Sequence, residues 1–154
     1  MKTQLQSKRS IFTKWHQSKM LLSAFILAAL FFLTAGTLNA TTITSAATGN
    51  WSTGATWVGG TAPIAGDDVI IASTHTVTLT AAVNITTGNL TVTGTLALAG
   101  FNFTAGSLAG AGNIGSASGT PLVTVGSNGS STTYSGIYSS SGARLTKQGA
   151  GTLT

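Results

Sequence analysis

The chain has no cysteine, only two prolines and only two acidic residues among its 154. Without cysteine there is no disulfide framework and no thiolate metal site, so stability must come from hydrogen-bonded ladders and packing. The two acids, Asp67 and Asp68, are too few for an all-carboxylate calcium cage. His75 is the only histidine beyond residue 40, and one histidine without cysteine makes no zinc centre. A G-x-S-x-G elbow, which would raise a serine nucleophile, is missing as well. On these grounds no catalytic, cofactor-binding or metal-ligating residue is assigned, and no cofactor is expected.

Charge is scarce and unevenly placed. The formal net charge is +5. Lys2, Lys8, Arg9, Lys14 and Lys19 all precede one apolar run, Met20–Gly36. Beyond residue 40 the charges are Asp67, Asp68, Arg144 and Lys147, which cancel. A nucleic-acid surface needs a basic patch on the folded part, so nucleic acid is excluded as a partner. The basic start, the apolar run and the small residues after it read as a Sec signal peptide, with Ala40 as the preferred cleavage point. An uncleaved anchor is the competing reading, at the short limit of a span. The expected partner of residues 1–40 is the Sec export machinery.

The rest is rich in Ser, Thr and Gly, a composition that disorder often shares. Regular apolar alternation and the lack of proline and charge oppose disorder. Between Thr74 and Gly115 the apolar residues come as short alternating pairs: Val77/Leu79, Val83/Ile85, Leu90/Val92, Leu96/Leu98 and Phe101/Phe103. Each run closes on Gly or Asn. Period-2 alternation of this length predicts strand, turn, strand, turn. Such strands are too short to stand alone and must stack, coil upon coil. The expected fold is all-β: a right-handed parallel β-helix or close β-solenoid, with about four coils of ~20 residues. The expected divisions are 1–40 signal peptide, 41–68 lead-in and N-terminal cap, and 69–154 coils.

Several motifs carry two readings. Trp51 and Trp57 are expected to cover the first coil, against the alternative of a sugar-stacking platform. Gly66-Asp67-Asp68 is expected to be a tight turn, because adjacent strand residues point apart and the two carboxylates would not converge. His75 is read as a turn residue before Val77. Gly110-Ala111-Gly112-Asn113-Ile114-Gly115 fits G-x-G-x-x-G, but no helix can follow at Ser116–Pro121, so its glycines are corners and not a dinucleotide loop. Asn84, Asn89, Asn102 and Asn113 are expected at equivalent corners.

Two segments resemble known families. Asn50-Trp51-Ser52, Thr56-Trp57, Pro63, Gly66-Asp67-Asp68-Val69-Ile70-Ile71 and Thr76-Val77-Thr78-Leu79 resemble the opening of large secreted bacterial β-helical proteins. Gly142-Ala143-Arg144-Leu145-Thr146-Lys147-Gln148-Gly149-Ala150-Gly151-Thr152-Leu153-Thr154 resembles the autotransporter-associated β-strand repeat, with Tyr134-Ser135-Gly136-Ile137 as its upstream element. Arg144 stands where that repeat carries a small residue. The resemblance implies a passenger-type, adhesin-like β-helix, secreted or on the outer membrane or cell surface of a bacterium, and part of a longer protein. It carries no catalytic residue.

The expected function is therefore a non-catalytic stalk or adhesive module. Its expected partners are host or environmental glycans or surfaces, and its C-terminal strand edge is expected to self-associate. The alternative is the N-terminal part of a polysaccharide-processing enzyme, which would have to gather Asp67, Asp68, Arg144 and Lys147 on one solenoid face.

Overall fold

The computed structural model describes residues 40–154 except 141 and 143. The signal-peptide reading falls on residues outside that set. Among the described residues there is no α-helix, only one 3-10 turn at Gly54–Thr56. Eleven short strands follow one another: β1 (Thr42–Thr44), β2 (Gly49–Asn50), β3 (Asp68–Ile71), β4 (Thr76–Thr78), β5 (Val83–Val92), β6 (Thr95–Ala97), β7 (Phe103–Ala109), β8 (Asn113–Ser116), β9 (Leu122–Val125), β10 (Ile137–Ser140) and β11 (Arg144–Lys147). Every strand pairing is parallel and joins one coil to the next. This is a parallel β-solenoid of about four turns.

Each full coil presents three faces. On the first, Ile43, Val69, Leu90 and Leu108 stack in register. On the second, Gly49, Val77, Leu96, Ile114 and Tyr138 do so. On the third the column is Val83, Phe103, Val123 and Leu145, beside Ile85, Ala105, Val125 and Lys147. β5 and β7 turn a corner without breaking, so the first and third faces count as one six-stranded sheet and the second as a five-stranded sheet. The register slips at that corner because residues 86–88 of β5 stand opposite Gly106 alone in β7.

Alternation explains the core. Val69, Ile71, Val77, Leu79, Ile85, Leu90, Val92, Leu96, Leu98, Phe103, Leu108, Ile114, Val123 and Val125 are all fully buried. Their strand neighbours Ile70, Thr78, Thr91, Ala97, Thr104 and Thr124 face outward and are only partly covered. Phe101 departs from the expected pair with Phe103: it is exposed. Ala99 (φ 50°) and Gly100 (φ 88°) both turn through the left-handed region just before it. The alternation therefore restarts after the turn, and Phe101 falls in the loop. Stacking also starts earlier than Asp68, since β1 and β2 already pair with β3 and β4.

Candidate functional site

Several side-chain hydrogen bonds among the described residues lie at the corners between faces and at the N-terminal end. The corner from the third face to the first carries a chain of side-chain hydrogen bonds running along the stack. Asp68 Oδ1 accepts the Asn89 backbone N–H at 2.7 Å and its Nδ2 at 2.8 Å. Asn89 Oδ1 in turn accepts Ser107 Oγ at 2.6 Å and Asn128 Nδ2 at 2.9 Å. Asn128 Oδ1 closes its own turn on the Ser130 N–H at 3.0 Å. One residue from each of four coils thus joins the network, with Asn89 Oδ1 shared by Ser107 and Asn128. Asn84, Asn102 and Asn113, expected to share Asn89's corner, do not. Asn84 lies within β5 on the third face, Asn102 accepts the Leu122 N–H at 2.8 Å just before that face, and Asn113 opens β8 on the second. Their spacing along the chain is not the coil period.

Removing the Asn89 side chain takes a hydrogen bond from Asp68, Ser107 and Asn128 at once, and Asp68 keeps only the backbone N–H of residue 89. Asn89→Ala should lower stability by about 2 kcal/mol, since Ser107 is buried and its hydroxyl loses its acceptor. Urea unfolding followed by tryptophan fluorescence measures this; a loss under about 0.5 kcal/mol would show that the corner chain contributes little.

Asp67 and Asp68 point apart, as the strand geometry demands. Asp67 is buried. Its Oδ2 accepts the Ile64 N–H at 2.9 Å and its Oδ1 the Thr41 N–H at 3.4 Å. The two carboxylates therefore serve separate backbone donors and do not form an acid–base pair. No group of three His, Cys, Asp or Glu among the described residues converges on one point.

His75 sits in the turn before β4, and its ring reaches the first coil. The Ala72 N–H donates to Ser45 Oγ at 2.9 Å, and Ser45 Oγ shares a hydrogen bond of 2.8 Å with His75 Nδ1. The pair superficially matches a nucleophile and its base. Ser45, however, is only 3% exposed, so no substrate atom can approach its oxygen.

Both tryptophans are used in packing. Trp57 is 2% exposed and Trp51 5%. Their rings meet edge-to-face with centroids 5.0 Å apart, and Trp57 Nε1 donates to the Trp51 carbonyl at 2.7 Å. Trp51 also meets Phe103 edge-to-face at 5.4 Å. Residues 56–58 form a strap over the first coil. Val58 N–H donates to Thr44 O, Ala46 N–H donates to Thr56 O, and Ser45 bridges Trp57 antiparallel. The strap covers the first-face edge; the rings have no free face for a sugar. Two shallow grooves flank it. One, of about 300 Å³, lies between Trp51, Pro63, Ile64 and Val83. The other, of about 340 Å³, lies between Ile43, Val58 and Asp67.

The C-terminal motifs have physical roles in the stack. Tyr134 folds over Gly136, and its hydroxyl lies 2.8 Å from Gly112 O and 3.0 Å from Ile137 O, with one proton for the two. Burial pushes the Tyr134 and Tyr138 phenols above their ordinary value of 10.0. Lys147 takes the position that Ile85, Ala105 and Val125 hold in earlier coils, and its ammonium turns back onto the Gln148 and Gly149 carbonyls.

Sequence reasoning missed Ser45, Ser107 and Asn128. A signal for the corner chain existed: a polar residue directly precedes a first-face core residue in Asp68-Val69, Asn89-Leu90 and Ser107-Leu108. Comparison with models of protein families, with curated proteins and with solved structures finds no match for this chain.

Proposed function

We propose that the chain is a non-catalytic module of an exported bacterial surface protein, a stiff stalk of the autotransporter-passenger kind. The observation that carries this reading is where the ionisable groups are used. Asp67, Asp68, His75 and Lys147 each bind a neighbouring coil, turn or backbone carbonyl. A hydrolase needs acid and base groups directed at a substrate in a cleft. The described grooves are instead lined by apolar and small residues, apart from Asp67, whose carboxylate already serves two backbone donors. Outward rows of Thr and Asn, such as Asn84, Thr104, Thr124 and Thr146, supply hydroxyls and amides without charge. That surface suits weak contact with glycans or with other polar surfaces, and glycans are the ligand class this reading names.

The test uses cells expressing the full chain. An epitope inserted beside Gly129, an exposed turn position with open space around it, should be labelled by antibody on intact cells. The exported product should have lost about its first forty residues by intact mass. Labelling only after permeabilisation would refute surface placement. Polysaccharide cleavage that disappears in Asp67→Asn or Asp68→Asn would refute the non-catalytic reading.

A further inference from the structure

We propose that Asn128 is a site of self-modification. Its amide cyclises onto the Gly129 nitrogen and hydrolyses with water to aspartate or isoaspartate, which loosens the corner between the third and first faces. Nothing in this depends on what the module binds.

The sequence meets the first condition. Asn128 precedes Gly129, whereas Asn50, Asn84, Asn89, Asn102 and Asn113 precede Trp, Ile, Leu, Phe and Ile. A side chain on the following residue hinders its nitrogen and narrows its backbone angles, and glycine does neither. The turn meets the others. Asn128 and Gly129 are both exposed, and nothing stands within 4 Å of a Cβ placed on Gly129. The Gly129 N–H donates to Gly126 O at 3.2 Å, the long end of the normal range, so it is lightly held. Asn128 Oδ1 accepts the Ser130 N–H at 3.0 Å, which folds the side chain back over the Gly129 peptide. The same N–H polarises the amide carbonyl and stabilises the negative charge that grows on Oδ1 during attack.

The step balances with water alone. The Gly129 nitrogen gives its proton to solvent hydroxide and bonds to Asn128 Cγ. The Cγ–Nδ2 bond breaks, and that nitrogen leaves as ammonia with a proton from water. Water then opens the cyclic imide at either carbonyl. One product is aspartate. In the other, isoaspartate, the main chain runs through the side-chain carbon.

What the amide holds gives the reaction its consequence. Asn128 Nδ2 passes over Gly106, where a Cβ would stand 2.8 Å from it, and donates to Asn89 Oδ1 at 2.9 Å two coils back. The amide is thus a tie across the coil of Ser107. A carboxylate in its place has no proton to donate at neutral pH. It would oppose Asn89 Oδ1, acceptor against acceptor. Turning the Asn89 amide over offers no relief, because its Nδ2 serves Asp68 Oδ1 at 2.8 Å and its Oδ1 serves Ser107 Oγ at 2.6 Å. Isoaspartate also lengthens the main chain where the Asn128 N–H donates to Gly106 O at 3.3 Å. Either product loosens the corner irreversibly.

The test incubates the full chain, folded and in urea, in mildly alkaline buffer and maps peptides by mass. In the folded chain the mass gain of an amide becoming an acid should appear at Asn128, with isoaspartate detected by enzymatic methylation, while Asn89 and Asn102 keep their amides. Gly129→Ala should slow the conversion several-fold with a β-type circular dichroism spectrum retained, and Asn128→Gln should prevent it. Asn128→Asp, which mimics one product, should lower the urea midpoint and speed hydrogen exchange at Asn89 and Ser107. Two results would overturn the proposal. One is an intact Asn128 amide in the folded chain over a time in which the unfolded chain converts, which would mean that the fold protects the site. The other is an Asn128→Asp variant with the parental urea midpoint, which would mean that the amide ties nothing.

Discussion

Gly112→Ala should cost about 4 kcal/mol or more, a large part of the ~5–15 kcal/mol that holds a typical domain folded. The reason is proximity. Gly94, Gly112 and Gly136 stand one above another at the corner from the first face to the second. Gly112 N–H donates to Val92 O at 2.8 Å, Asn113 N–H to Gly94 O at 2.8 Å, and Ile137 N–H to Gly112 O at 3.1 Å. A Cβ at Gly112 would stand 2.7 Å from the Thr93 carbonyl carbon and 3.0 Å from Gly94 N, and closer still to Gly94 O. That neighbour is backbone held in a ladder, so it cannot step aside. Relief requires the coils to separate at this corner, with loss of several hydrogen bonds. Gly129→Ala provides the contrast. Gly129 has φ +76° and nothing near its missing Cβ. Its replacement should cost only about 1–2 kcal/mol, the strain of a left-handed alanine. Thermal unfolding of the two variants should separate them clearly. Equal, small losses would mean that the corner is looser than described.

Phe103→Ala should cost about 3–5 kcal/mol. Phe103 is fully buried in the third-face column, between Val83 and Val123. It also holds the cap, since its ring meets Trp51 edge-to-face at 5.4 Å, and Trp51 meets Trp57 at 5.0 Å. Losing it removes an aromatic contact worth roughly 0.5–1.5 kcal/mol beyond the buried area. It also leaves a cavity beneath the tryptophans. The urea midpoint should fall with little change in slope. Tryptophan emission should shift to the red even in the folded variant, as Trp51 gains water. A variant with parental stability and unchanged emission would show that the cap rests on the strap alone.

These two positions differ in how plainly the sequence announces them. Phe103 belongs to an alternating pair, and alternation reports burial directly because strand side chains point to opposite faces. The same signal located Val77, Leu79, Ile85, Leu90, Val92, Leu96 and Leu98. It failed at Phe101, where two residues in the left-handed region reset the phase between turn and strand. The stack of Gly94, Gly112 and Gly136 was legible only as corners. Which glycine stands over which depends on coil lengths, and these vary because the corner loops differ in size. The same variation hid the partnership of Asp68, Asn89, Ser107 and Asn128. Asn84, Asn102 and Asn113 lie away from Asn89's corner, while the residues that bond there are a mixture of Asp, Asn and Ser. Thr41–Asn50 carried too little apolar character to reveal itself as a first coil. β1 and β2 hold their places by pairing with β3 and β4, with Ile43 as the apolar contact. The tryptophan cap was legible because two large rings in a segment of small residues must be buried somewhere.

Successive coils stack in parallel, each first-face strand pairing with the one a full coil later. Solution NMR on isotope-labelled protein tests it most directly. Backbone contacts are expected from Val69 to Leu90 and from Leu90 to Leu108, with the amides of all three exchanging slowly. Contacts of antiparallel type between chain-adjacent strands such as β3 and β4, with no signal linking Leu90 to Leu108, would contradict it.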